Sequence, residues 1–62
     1  MRIDMYRNYK FFLLDKDGNR EEHVGEVQFV TDMGSEKETY LIKAEDGYRY
    51  MVPKSNIEYR TI

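Results

Sequence analysis

The chain has 62 residues and no cysteine, with 10 Lys plus Arg against 12 Asp plus Glu and a formal net charge of −2. That length holds one domain, residues 1–62. The composition excludes a disulfide scaffold and a cysteine-based zinc site, and a single histidine excludes a histidine-rich metal centre.

The near-balance of charge gives no bulk attraction to nucleic acid or to an anionic membrane. The longest apolar run, Phe11-Phe12-Leu13-Leu14, is too short to cross a bilayer. No apolar segment follows Met1, so a soluble, cytoplasmic protein is expected. A domain this small buries only about 60% of its unfolded surface. A homodimer is one way in which such a chain gains core.

In chain order, the first nine residues fit two patterns, a helix with Ile3, Tyr6 and Lys10 on one face or a strand with Ile3 and Met5 on one face, and the strand is the expectation taken. Lys10 to Leu14 is a second β-rich run. Asp17-Gly18 follows as a hairpin turn. Val24 to Val30 reads as a strand with Val27 and Phe29 on one face and Val24, Gln28 and Val30 on the other. Gly25 inside it signals a bulge or a sharp bend. After a turn cluster at Thr31 to Ser35, Thr39 to Ala44 alternates Tyr40, Ile42 and Ala44 with Leu41 and Lys43. Asp46-Gly47 is a second hairpin turn. Tyr48, Tyr50 and Val52 then alternate with Arg49 and Met51. Pro53 has no N–H to give a ladder and belongs at an edge or a strand end. Ile57 and Tyr59 alternate with Glu58 and Arg60. Five strands from Lys10 onward, separated by turn signals, predict an all-β, five-stranded antiparallel barrel or sandwich.

Few residues carry chemistry. Asp15 to Glu26 is similar to an EF-hand calcium loop, with acidic or amide side chains at loop positions one, three and five and Glu26 at twelve. Arg20 stands where that loop needs glycine, and Glu22 where it carries an apolar anchor. The segment therefore reads as an acidic turn and a charged strand start. His23 is the only imidazole, and in a strand Glu21 shares its face. No phosphate loop, nucleophile elbow or paired metal-ligand spacing occurs. The expectation is a protein that is not an enzyme, with no cofactor and no metal.

Tyrosine is abundant, at six residues. Its apolar ring and polar tip suit both small cores and interfaces. At least three of the six are expected in the core. Those left over favour a partner surface.

Val52-Pro53-Lys54-Ser55-Asn56, after the Asp46-Gly47 turn and before Ile57, resembles the end of a Src-homology-three-type (SH3-like) barrel. There a tight hairpin, a strand, a Val-Pro-x-Ser-Asn stretch and a short last strand follow one another. Val24-Gly25-Glu26-Val27 likewise resembles the family's strand opening, so the likeness runs from Val24 to the C-terminus. It implies a 3₁₀ turn before the last strand. Pro53 and Asn56 match groove positions of the family's proline-rich-peptide binders. The family's tryptophan and N-terminal aromatic motif are absent, and Ile57 stands where a tyrosine follows Ser-Asn. The likeness thus implies the fold and not that binding mode.

The functional expectation is a small protein-interaction module, of the regulator or inhibitor type that phages and other mobile elements encode. Its candidate partner surface is Tyr48, Arg49, Tyr50, Pro53 and Asn56. A nucleic-acid-binding barrel, using Lys43, Arg49, Lys54 and Arg60 with exposed tyrosines, is a second reading that the net charge disfavours. The third is a structural subunit of a homo-oligomer. No membrane association is expected.

Overall fold

The computed structural model describes all 62 residues. The chain forms one five-stranded antiparallel sheet: β1 (Asn8–Leu14), β2 (Arg20–Thr31), β3 (Thr39–Ala44), β4 (Arg49–Pro53) and β5 (Ile57–Arg60). A 3₁₀ turn, Lys54–Asn56, stands between β4 and β5. The order across the sheet is β4-β3-β2-β1-β5. Successive strands pair through short connections, and β5 returns to the free side of β1, where Tyr9 faces Arg60. The edges β4 and β5 do not pair, so the sheet is not closed. No helix is long and apolar enough to cross a membrane.

The turns form where the sequence places them. The Asp15 carboxylate accepts the N–H groups of Asp17 and Asn19, at 2.8 and 2.9 Å, and so holds the β1–β2 turn. At the β3–β4 turn Gly47 takes φ 92°, a left-handed value that a side chain opposes. Pro53 ends β4, which is an edge strand.

The core gathers one face of every strand. Tyr9 and Phe11 from β1, Val27 from β2, Tyr40, Ile42 and Ala44 from β3, Val52 from β4 and Ile57 from β5 are buried together. Tyr50 packs against them. Three of the six tyrosines therefore serve the core, while Tyr6, Tyr48 and Tyr59 are exposed.

Three expectations need correction. Residues 1–7 are not strand; Tyr6 N–H donates to the Val27 carbonyl and Val27 N–H to the Arg7 carbonyl, and the segment turns at Met5 and Tyr6. Val27 and Phe29 do not share a face, because the β2–β3 register shifts between them. An extra residue in one strand reverses the facing of every residue beyond it. Val27 is buried and Phe29 is 59% exposed, while Val30 packs inward. Gly25 is not the bulge; it pairs with Tyr9 on one side and Ala44 on the other.

Candidate functional site

Two places concentrate polar or exposed apolar side chains. The first lies on the inner face near the β3–β4 turn. His23 stacks on Phe11 with ring centroids 5.4 Å apart and meets Tyr50 at 5.0 Å. The Tyr50 hydroxyl donates to Asp46 Oδ2 at 2.6 Å. His23 Nδ1 is 3.8 Å from that same oxygen, and Nε2 is 3.5 Å from Glu21 Oε1. Glu21 and His23 thus share a face, as strand alternation requires. The His23 ring is packed between two aromatic rings with only its edges near carboxylates. No group of three His, Asp or Glu side chains gathers to hold a metal ion. The carboxylate of Asp15 is already engaged by two amides, and Glu26 lies in β2 opposite Asn8 and Lys43.

Glu38 anchors the β2–β3 loop. Its carboxylate accepts from the Tyr40 hydroxyl and from Gly34 N–H at 2.7 Å, and Lys54 Nζ stands 3.6 Å away. These partners hold the Glu38 carboxyl below its ordinary range, the Tyr40 hydroxyl first. Asp46 is lowered by the Tyr50 hydroxyl and then by Tyr48 N–H, and Glu22 mainly by Lys10. Burial, reinforced by Glu38, pushes the Tyr40 hydroxyl up to about 12. The hydrogen bond to Asp46, then burial, takes Tyr50 to about 12 as well.

These directions set a pH profile. The three carboxyls bind protons less tightly when folded, so the stability they supply is complete above the ordinary carboxylate range and drains as pH falls through their lowered values. The two tyrosines bind protons more tightly when folded. Their share is complete below pH 10.0 and drains as pH rises toward about 12. The thermal midpoint should be flat between roughly pH 5 and 9 and fall on both sides. Glu38→Gln should shrink the acid limb. A midpoint unchanged from neutrality down to about pH 3 would contradict this account.

The second place is the outer face of the β2-β3-β4 half. Phe29 pairs with Leu41 and Leu41 with Met51, which sets the three in one row across three strands. Phe29 is 59% and Met51 53% exposed, and Leu41 is half-buried between them. The adjoining row is Glu26, Lys43 and Arg49. Arg49 Nε donates to Gln28 Oε1 at 3.2 Å. Neither Lys43 nor Arg49 forms an ion pair.

The five residues of the candidate surface are distributed between faces. Arg49 and Pro53 stand on the outer face of β4 with Met51. Tyr50 alternates inward with Val52 and is held by Phe11, His23 and Asp46. Tyr48 is exposed in the β3–β4 turn. Asn56 turns to β1, where its Nδ2 donates to the Phe12 carbonyl at 3.0 Å. Sequence reasoning did not find the Phe29-Leu41-Met51 row. Its one trace is that β2 carries apolar residues in both parities, which a strand buried on one face does not need. In comparisons with known proteins, no family model, no curated protein and no solved structure matches this chain.

Proposed function

We propose that the chain is a small SH3-like module with a protein-interaction function and no catalytic role. It docks through the outer face of β2, β3 and β4. The observation that carries this reading is the exposed row Phe29, Leu41 and Met51 beside the unpaired cations Lys43 and Arg49. Such a patch fits a protein surface that offers apolar side chains next to carboxylates, because the pairing of signs steers the encounter and the apolar row supplies burial. The SH3-like assignment is supported by the run of hairpin, strand, 3₁₀ turn and short last strand from Glu45 to Arg60. The charge balance favours a protein over a nucleic acid as partner, since two cations on one face are few for a phosphate backbone.

The test pairs wild type with Phe29→Ser in capture from nuclease-treated lysate, followed by affinity measurement on the purified complex. Phe29 is exposed, so the variant should fold. A partner that binds wild type and is weakened at least about tenfold by Phe29→Ser, and again by Arg49→Glu, supports the reading. A partner held equally by all three proteins, or nucleic acid alone without nuclease, overturns it.

A further inference from the structure

β4 is an edge strand, and its side away from β3 is open. Ala44 N–H donates to the Tyr48 carbonyl at 2.8 Å, and Lys54 N–H to the Glu38 carbonyl at 3.1 Å. Both bonds belong to the series in which Tyr40 faces Val52 and Ile42 faces Tyr50. Residues in an antiparallel ladder alternate between bonding the partner and turning away from it. Tyr50 and Val52 therefore bond β3. Arg49 and Met51 turn their N–H and C=O to the open edge, and Pro53 turns its C=O there. Proline thus sits at a position whose missing donor β3 does not require.

The geometry points to this edge as the seat of a second copy of the chain, paired antiparallel about a two-fold axis at Met51. In that register the two Met51 residues exchange a pair of backbone hydrogen bonds. Each Arg49 N–H donates to the Pro53 carbonyl of the second copy. The neighbouring registers are worse. A step toward the C-terminus needs the N–H that Pro53 lacks. An axis at Arg49 sets two guanidinium groups face to face, and one at Tyr50 sets Arg49 against Met51. The Met51 register also lines each Phe29-Leu41-Met51 row up with its copy, so that six strands share one apolar row. At its ends Lys54 of one copy leaves the strand beside the acidic Glu45-Asp46 turn of the other, a match of opposite charge. An edge of five residues buries less than a standard interface, so the pair should form and part with concentration.

This pairing does not depend on the partner reading above, and it has a separate readout, self-association of the purified chain. Sedimentation equilibrium should show monomer at about 10 μM and a substantial dimer population near 1 mM. Over that range amide exchange at Arg49 and Met51 should slow by about threefold, as the monomer fraction falls, while Tyr50 and Val52, already bonded to β3, should not change. Met51→Lys, at an exposed position, sets like charges across the axis and should weaken association at least about tenfold with the fold intact. Phe29→Ser should leave association unaltered. Absence of self-association near 1 mM overturns the inference. So does association that leaves the Arg49 and Met51 amides unprotected or that survives Met51→Lys.

Discussion

Replacing Gly25 by alanine is expected to bring the protein to the edge of unfolding. Gly25 lies where β2 stops serving β1 alone and begins to pair with β3, so strands approach it from both sides. An added Cβ would lie 2.5 Å from the Lys43 carbonyl oxygen, 2.7 Å from Ile42 Cγ2 and 2.8 Å from Ala44 Cα. Two of these atoms are backbone, which cannot swing aside as a flexible side chain does. Overpacking of this kind costs about 1–3 kcal/mol, and more where backbone must shift. A chain of 62 residues has roughly 3–9 kcal/mol in total. Urea unfolding of the variant should show a loss of at least about 2 kcal/mol. A midpoint within error of wild type would mean that β3 yields more easily than its pairing indicates.

The second large effect is expected at Phe11. Its ring is fully buried, stacks on His23, and meets Tyr50 at 6.2 Å. It therefore carries β1 to β4, which lies at the far edge of the sheet, beside the direct contact of His23 with Tyr50. Phe11→Ala removes about 3–5 kcal/mol by lost transfer energy and by the cavity left among rings that cannot collapse. The Tyr50 hydroxyl should lose its fixed position over Asp46 at the same time, so its raised pKa should relax toward 10.0 in whatever fraction stays folded. Denaturation together with ultraviolet titration of tyrosine checks both. A loss below about 1 kcal/mol would place the ring outside the contact that ties the two halves.

The sequence was informative where local rules act alone. β3 and β5 have the bounds that alternation marks, and Asp17-Gly18 and Asp46-Gly47 turn as their chemistry demands. β2 begins at Arg20, whereas the sequence marks a start at Val24, because Arg20, Glu21 and Glu22 lack β-propensity and leave no strand pattern. They are held there by pairing with β1 and by contacts of Arg20 and Glu22 with Lys10 and Glu58. Such long-range pairing leaves no local pattern. The register shift after Val27 was likewise illegible, since it arises from how β2 meets β3. That shift decides the site. It sends Phe29 outward to join Leu41 and Met51, whereas the sequence pointed to Tyr50 through its tyrosines and the likeness at Pro53 and Asn56, and Tyr50 faces the core.

The pairing of β5 with β1 bears on the order in which the molecule assembles. Tyr9 and Arg60 meet across almost the whole chain. Closing a loop of about 50 residues costs on the order of 3.5 kcal/mol in entropy, against about 1 for a tight hairpin. The hairpins must therefore be largely in place before the last strand gains by docking. Phe11 faces Ile57 across that final seam. Truncation on the β5 side of the seam, Ile57→Ala, should accordingly give a protein that unfolds much faster than wild type while folding almost as fast, and a matching fall in its folding rate would put the seam at the start of assembly instead.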